Sequence, residues 1–342
     1  MRTRSGVIAG GNWIVDHVKI VDRWPQQDAL VNITSQWSSN GGAPYNVLKN
    51  LARLGATFPL EAVGLVGDDE AGRFIRADCA QHHIDPTQLR TSPQTPTSYT
   101  DVMTEQGSGR RTFFHCRGAN AGLAPEHFDF SRSRARIFHL GYLLLLDRLD
   151  RFDEATGATA AVDVLRAARA AGMTTSADVV SEQGDRFAQI VRPALPHLDT
   201  LFLNEFEIAQ VTGIETVRAG QIDRSAIERA AKELLRGGVR GWVFVHFPAA
   251  VFGCSAQGET IWQPSVEVPA THIAGAVGAG DAFASGVLLG LHEGFPVTDA
   301  LKLGVAAAAA SLAHPTCSEG VLPRAECLAL ATRFGFKALS SP

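Results

Sequence analysis

The chain has 342 residues, of which 45% are hydrophobic, and its formal net charge is −4. This length suits one large α/β domain or two small ones, and the absence of a basic block argues against a nucleic-acid partner. Five scattered cysteines without a CxxC pair indicate free thiols in a reducing compartment. No apolar stretch reaches the roughly 18 residues of a membrane span, and the first apolar run is too short for a signal peptide. We therefore expect a cytoplasmic protein that does not bind membranes.

The first part of the chain predicts strands of two kinds and one helix. Residues 5–11 are an apolar run that ends in glycines, which is typical of a buried strand. Residues 13–42 mix apolar and polar side chains, as half-exposed strands do. From Pro44, apolar residues recur at helical spacing until Leu54, and Gly55 provides the stop.

The remaining chain alternates strands with helices. Strands are predicted at 61–67, 135–143, 174–179, 200–204 and 241–247, and helices at 69–82, 153–171, 205–212, 223–236, 279–293 and 298–313. This alternation predicts a parallel sheet with helices on both faces. Residues 97–118 break the alternation and resemble 13–42, so these two segments are expected to form a small separate sheet. We predict a single domain over residues 1–342, with 13–42 and 97–118 as its lid.

The most informative segment is GAVGAGDAFASGVLLG at residues 275–290, in which Gly278, Ala279 and Gly280 precede Asp281. Small residues let backbone N–H groups approach a ligand, and the N-terminus of the following helix adds its dipole. The segment therefore predicts an anion site. An aspartate there would repel a resting phosphate, which favours Asp281 as a base that takes a proton from an attacking hydroxyl. The alternative is a glycine-rich turn capped by Asp281.

Five blocks of sequence, of which this motif is the last, occur in one order. They are Asp16 after the first strand, Gly41-Gly42-x3-Asn46 leading into Ala52-Arg53-Leu54-Gly55, Val63-Gly64-x-Val66-Gly67-Asp68-Asp69-x2-Gly72, Asn204-Glu205-x-Glu207 with Thr212-Gly213, and Gly278-Ala279-Gly280-Asp281-Ala282-Phe283. In these blocks the chain resembles the ribokinase-like (PfkB-type) carbohydrate kinases. The resemblance implies a three-layer ribokinase-like α/β fold, with a central mostly parallel sheet, helices on both faces and a small β-sheet lid. It also implies direct in-line transfer of the γ-phosphoryl group of ATP to a sugar hydroxyl, with Mg²⁺.

The resemblance also implies roles for individual residues. Asp281 would be the base, and the backbone N–H groups of Ala279, Gly280 and Asp281, after Gly278, would form the anion hole. The implied sugar contacts are Asp16, Gly41, Gly42 and Asn46, with Asn120 as a further contact beside the lid. The implied nucleotide contacts are Asn204, Glu207, His246, Gly278 and Gly280, of which Asn204 and Glu207 would also organise Mg²⁺ and its waters. These residue types suit sugar hydroxyls and hydrated Mg²⁺, although Asp16 could be a turn residue and Asn204 a helix cap.

The sequence departs from the family pattern at two places. The usual block Asp-Thr-x-Gly-Ala-Gly-Asp here begins with Gly275 and Ala276, so a carboxylate that helps a monovalent-cation site is missing and we expect weak or absent K⁺ activation. The usual Thr-x-Gly-x-x-Gly run along the nucleotide is here His246-Phe247-Pro248-Ala249-Ala250-Val251. We therefore expect a working kinase with an altered nucleotide site. A homodimer through the lid is the assembly that we consider for this chain.

Two other functions stay open. A sugar-binding sensor would keep the fold and lose efficient use of ATP, and a nucleoside kinase would need an apolar pocket under the lid. The aromatic residues that could line such a pocket are Trp13, Trp37 and Phe114, although packing accounts for them equally well. The arginines that could contact a charged substrate, or lie on a solvated face, are Arg110, Arg111 and Arg117. His139, beside a strand, is expected to be a core residue.

Overall fold

The computed structural model describes residues 4–339. The strands of this part of the chain are Val7–Gly11 (β1), Ile14–Val21 (β2), Ile33–Gly41 (β3), Leu60–Gly67 (β4), Ile84–Ser92 (β5), Ser98–Glu105 (β6), Arg111–Cys116 (β7), Ile137–Leu143 (β8), Phe152–Asp153 (β9), Ala158–Thr159 (β10), Thr174–Val179 (β11), Thr200–Asn204 (β12), Val217–Arg218 (β13), Gln221–Ile222 (β14), Trp242–Phe247 (β15), Ala250–Ser255 (β16) and Thr260–Pro264 (β17). The α-helices are Ala43–Arg53 (α1), Glu70–Gln81 (α2), Ala160–Ala170 (α3), Phe187–Val191 (α4), Glu205–Thr212 (α5), Arg224–Arg236 (α6), Ala279–Glu293 (α7), Val297–Ser311 (α8) and Arg324–Phe334 (α9).

A nine-stranded sheet in the order β17-β16-β15-β12-β11-β8-β1-β4-β5 lies at the centre. Within this sheet, neighbouring strands pair in parallel along β5, β4, β1, β8, β11, β12 and β15. Strands β16 and β17 add an antiparallel edge. One apolar cluster joins this sheet to α3, α4, α5 and α6, and a second cluster joins it to α1, α2, α7, α8 and α9. The sheet is therefore covered on both faces, which explains its nearly continuous apolar strands and confirms the predicted three-layer α/β class.

Four strands form a separate sheet in the order β3-β2-β6-β7, which we call the lid. The chain enters the lid directly after β1 and returns from it into α1, so the lid stands at the carboxyl end of the parallel strands. The register places Asp16 of β2, Thr100 of β6 and His115 of β7 side by side. Because side chains alternate across a strand, this row shares one face of the lid, and all three side chains line the cavity beneath it.

Several elements differ from those predicted. Strand β5 was missed because it is polar and contains Pro86, which an edge strand tolerates. The edge strands β16 and β17 and the helix α9 were also missed. The helix predicted from 153 begins at Ala160, since β9 and β10 form a short hairpin before it. No helix within residues 4–339 is long and apolar enough to cross a membrane, and the five cysteines are free, as predicted.

Candidate active site

A cavity of about 1770 Å³ lies between the lid and the carboxyl edge of the large sheet. The predicted site residues that line it are Asp16, Gly42, Asn46, Asn204, Glu207, His246, Gly278, Ala279, Gly280 and Asp281. Residues far apart in the sequence therefore meet at the edge where open α/β sheets bind ligands.

Two predicted sugar contacts lie beside the cavity instead. A Cβ atom at Gly41 would overlap the carboxylate of Asp16, so this glycine makes room for Asp16. Asn120 is fully buried, and its amide accepts from the backbone N–H of Trp13 at 3.2 Å and donates to the Trp13 carbonyl at 3.1 Å. The contact predicted for Asn120 is thus corrected to a structural role, since both ends of its amide are used in tying the chain after the lid to the start of β2.

The loop before α7 presents free backbone N–H groups to the cavity. Gly278 is left-handed, with φ 74° and ψ 4°, and a Cβ atom there would lie 2.7 Å from the Cα of Cys317. The first bond of the helical ladder runs from the N–H of Ala282 to the carbonyl of Gly278, at 2.8 Å. The N–H groups of Gly280 and Asp281 precede that bond and have no intrahelical partner. Free N–H groups at the start of a helix suit a negatively charged ligand.

Asp281 is 4% exposed and lies in the first turn of α7. The amide of Asn46 donates to its Oδ2 at 2.7 Å, and the hydroxyl of Tyr142 donates to Oδ1 at 2.9 Å and to Oδ2 at 2.7 Å. Burial raises the pKa of Asp281 to about 6, while these hydrogen bonds oppose the rise. Tyr142 could not be predicted from the sequence, because a tyrosine at the end of β8 belongs to none of the recognised blocks.

Further buried carboxylates surround Asp281. Burial raises the pKa of Asp16 to about 7 and that of Glu207 to about 8. Asp178, at the end of β11, also lines the cavity, and burial with the nearby charges of Asp281 and Glu207 raises its pKa well above the usual range. Asp178 was not predicted from the sequence, although its place near the carboxyl end of a predicted buried strand could have marked it. Such a cavity favours an occupant that brings hydroxyl donors or positive charge.

Asn204 and Glu207 form a capping box at the start of α5. Asn204 Oδ1 accepts from the N–H of Glu207 at 2.8 Å, and Glu207 Oε2 accepts from the N–H of Asn204 at 2.8 Å. Ser181 Oγ also donates to Glu207 Oε1 at 2.7 Å. The helix-cap alternative is therefore present in the structure, while both side chains also line the cavity. Within residues 4–339, no three His, Cys, Asp or Glu side chains are placed to hold a metal ion.

The other end of the cavity is apolar. His246 pairs in register with Asn204, packs against Gly280, and is kept neutral by burial, which lowers its pKa to about 4. Beyond it, the chain turns at Pro248 and Ala249 directly into the antiparallel strand β16. Phe247, Pro248 and Val251 line this part of the cavity. The sequence lacks the glycine-rich run of the family pattern at this position. The structure has here a tight hairpin of β15 and β16 with apolar side chains.

The aromatic residues considered for a nucleoside pocket lie elsewhere. Trp13 is fully buried and stacks on Tyr45 with ring centroids 5.1 Å apart, while Trp37 and Phe114 are also outside the cavity lining. The proposed lining by these three side chains is therefore wrong. His139 is fully buried and hydrogen-bonds Ser176 at 2.9 Å, which confirms that it is a core residue.

A sequence profile described as the pfkB family of carbohydrate kinases matches residues 7–324. The chain belongs to this family. The kinase is 27% identical over 300 residues to ribokinase of Arabidopsis thaliana, covering 85% of this chain and 71% of the relative. It is 28% identical over 285 residues to fructokinase of Klebsiella pneumoniae, covering 78% and 83%.

Solved structures show the same fold. The kinase matches ribokinase of Thermotoga maritima with a TM-score of 0.77 at 22% identity, over 95% of this chain and 99% of the other. It matches Arabidopsis thaliana ribokinase complexed with ribose and ATP with a TM-score of 0.76 at 21% identity, over 96% and 98%. These likenesses confirm the ribokinase-like fold.

Proposed function

We propose that this kinase transfers the γ-phosphoryl group of ATP to a hydroxyl of a sugar, with Asp281 as the base. The observation that carries the proposal is the place of Asp281, which is buried between the sugar-side amide of Asn46 and the free N–H groups at the start of α7. A base and an anion site thus lie within one turn of helix, as phosphoryl transfer to a hydroxyl requires.

The residues of the chain would act by positioning and by charge. Asp16, Asn46 and the backbone at Gly42 would hold sugar hydroxyls, and Gly42 has φ 86° with no room for a Cβ atom beside the Asn12 carbonyl. The reacting hydroxyl gives its proton to Asp281 as its oxygen bonds to the γ-phosphorus. The bond between that phosphorus and the bridging oxygen breaks, and the nucleoside diphosphate leaves with the electron pair. The N–H groups of Gly280 and Asp281 would stabilise the charge on the phosphoryl oxygens. The N–H of Ala279, which the resemblance also implied, donates instead to the carbonyl of Ala276 at 3.4 Å.

Mg²⁺ would be held through water by Asn204 and Glu207. When bound, it supplies positive charge that neutralises the phosphates of the nucleotide. Glu207 suits this role because it is a carboxylate that already receives fixed hydrogen bonds from Asn204 and Ser181, which orient its oxygens.

A matrix of sugars against four nucleoside triphosphates, each with Mg²⁺, tests the proposal. We expect phosphorylation of at least one sugar, with a high KM for ATP or a preference for another triphosphate, since the hairpin at Pro248 replaces a glycine-rich nucleotide loop. The same matrix by thermal shift addresses the sensor alternative, because ligand binding raises the melting temperature. If a sugar binds well while no triphosphate binds at millimolar concentration, the result favours the sensor.

Asp16→Ala should weaken sugar binding. Asp16 is 8% exposed and lies on the inner face of the lid, where removing a buried hydrogen-bonding partner costs about 1–3 kcal/mol. We therefore expect the sugar Kd from calorimetry to rise roughly 5- to 150-fold. His17→Ala is the matched control, because His17 is next in β2 and bonds Ser38 away from the cavity. An unchanged Kd in Asp16→Ala would make Asp16 a structural residue.

We propose a homodimer through the outer face of the lid, because this face carries exposed aromatic side chains. Tyr99 and Phe114 are 36% and 53% exposed and do not line the cavity. Exposed aromatic side chains are common at protein interfaces. We expect sedimentation to give a dimer for the native chain and a monomer for Phe114→Asp. A native chain that sediments as a monomer at micromolar concentration would contradict this assembly.

A further inference from the structure

Tyr142 lies at the end of β8, between β11 and β1 of the large sheet, and its side chain lines the cavity. Its hydroxyl donates to both carboxylate oxygens of Asp281, at 2.9 Å to Oδ1 and at 2.7 Å to Oδ2. The amide of Asn46 donates to Oδ2 from α1, at 2.7 Å. A carboxylate accepts up to about four hydrogen bonds, so these donors fix the plane of the carboxylate and leave lone pairs for a substrate hydroxyl.

Two features of the fold hold Tyr142 in this place. Asn12 is fully buried, and its amide accepts from the backbone N–H of Tyr142 and donates to the carbonyl of Leu145 at 3.0 Å. One side chain thus holds both ends of the turn that carries the tyrosine. Gly141 lets β8 approach α1 closely, because a Cβ atom at this position would overlap the Cβ of Ala43. The tyrosine of β8 and the asparagine of α1 therefore reach the same carboxylate.

The surroundings of Asp281 oppose its ionisation. The titratable groups around it are Asp16 of β2, Tyr142 of β8, Asp178 of β11, Glu207 of α5, His246 of β15 and Cys317 after α8. Arg111 of β7 lies beside Cys317, and neither it nor any other cation within residues 4–339 forms an ion pair with Asp281. Burial raises the pKa of Asp281, and the hydrogen bonds from Asn46 and Tyr142 are what lowers it.

We propose that Tyr142 is a positioning residue for the base, whose hydroxyl holds the carboxylate of Asp281 ionised and in one orientation for the reacting sugar hydroxyl. The proposal rests on the function proposed above and changes no bond in that reaction. Tyr142 keeps its own proton throughout, because burial and the charge of Asp281 raise its pKa well above the usual range. The tyrosine is therefore a fixed donor, and the proton of the sugar goes to Asp281 alone. A base that is held in this way needs no reorientation when the sugar binds.

Tyr142→Phe removes the hydroxyl and keeps the ring, and it is assayed with the sugar and triphosphate that turn over fastest in the matrix described above. We expect kcat to fall about tenfold or more at pH 8, with a sugar Kd within threefold of the native value. The pH midpoint of kcat/KM should rise by about 1 pH unit, because the ionised carboxylate loses a charge-assisted donor. Replacing Tyr142 with 3-fluorotyrosine should move the midpoint downward, because fluorine makes the phenol a stronger donor. Tyr45→Phe is the matched control, since the Tyr45 hydroxyl donates to Asp78 at 2.6 Å outside the cavity lining, and it should keep the native kcat and midpoint.

Melting curves test the same pair without any substrate. At pH 8 the hydroxyl of Tyr142 bonds an ionised Asp281, and at pH 5 a protonated one, so Tyr142→Phe should lower the melting temperature more at pH 8. In an Asp281→Asn background the loss should be equal at both pH values, because no charge remains to titrate. Tyr45→Phe should also lose equally, because hydrogen bonds that outweigh burial lower the pKa of Asp78 to about 2, and this carboxylate is ionised throughout.

Three outcomes would overturn the inference. A sugar Kd raised more than tenfold in Tyr142→Phe, with native kcat and midpoint, would make Tyr142 a sugar contact only. Native values of all three quantities would remove its role altogether, and an equal loss of melting temperature at pH 5 and pH 8 would make the hydroxyl merely structural. Each result, with turnover by the native enzyme, leaves the proposed function intact, whereas absence of native turnover with every sugar and triphosphate rejects the function itself. The fluorotyrosine protein carries the test if Tyr142→Phe does not fold.

Discussion

Asp281→Asn should lower kcat by about 10²-fold or more while leaving sugar affinity nearly unchanged. The amide has the shape of the carboxylate and can still bond Asn46 and Tyr142, but it cannot accept the proton of the attacking hydroxyl. Folding should be intact. Burial in the folded state raises the pKa of Asp281 to about 6, so above this pH the ionised carboxylate lowers the stability of the folded state. The Asp281→Asn variant carries no charge at this position, so at pH 8 it should melt at the same temperature as the native enzyme or at a higher one.

The measurement is steady-state turnover beside calorimetric sugar binding, and Asp299→Asn serves as the control. Asp299 is also in the first turn of a helix, but it is exposed and pairs only with Lys302. The native enzyme supplies a second readout, because Asp281 must be ionised to accept a proton. Its kcat/KM should therefore decline as the pH falls below about 6. Near-native turnover in Asp281→Asn would remove Asp281 from the role of base.

The sequence predicted the parts of this molecule that depend on local patterns. The strands at Thr174–Val179 and Thr200–Asn204 and the helices Glu205–Thr212 and Ala279–Glu293 have the predicted bounds. Their apolar runs are closed by Gly, Asn or Asp residues, which fix where an element begins or ends. The order of strands in the sheet and the pairing of the lid strands involve distant residues, and their outline followed from the family resemblance.

The sequence could not predict which side chains share the cavity. From the sequence, Gly275 was recognised as a position where the family pattern has an aspartate. Arg111 lies 164 positions earlier, on another sheet, and only the fold brings these two residues together. Tyr142 and Asp178 reach Asp281 from the ends of two parallel strands, which carry no motif for them. Asn120 shows the opposite error, because its place after the lid suggested a ligand contact, while its amide bonds the backbone of Trp13. Side-chain direction is decided by tertiary packing in each case.

Gly278→Ala should reduce kcat by about 10²-fold or more, because it moves the loop before α7 without removing any polar group. The residue adopts φ 74°, which an alanine adopts only with strain of about 1–2 kcal/mol. The added Cβ atom would also lie 2.7 Å from the Cα and the carbonyl oxygen of Cys317, and this backbone cannot turn aside as a flexible side chain would. The N–H groups of Gly280 and Asp281 would then be displaced, and Asp281 with them.

Gly294→Ala is the control that separates strain from misplacement, because Gly294 ends the same helix with φ 79° and has no atom within 4 Å of the Cβ position. It should lower the free energy of unfolding by about 1 kcal/mol or slightly more and leave kcat unchanged. Gly278→Ala carries the same strain together with the contact against Cys317, so only this variant should lose turnover and affinity for the triphosphate. Equal melting temperatures and equal kcat values in the two variants would show that the loop tolerates the shift, and that the N–H groups at the start of α7 do not need this position to hold the phosphoryl group.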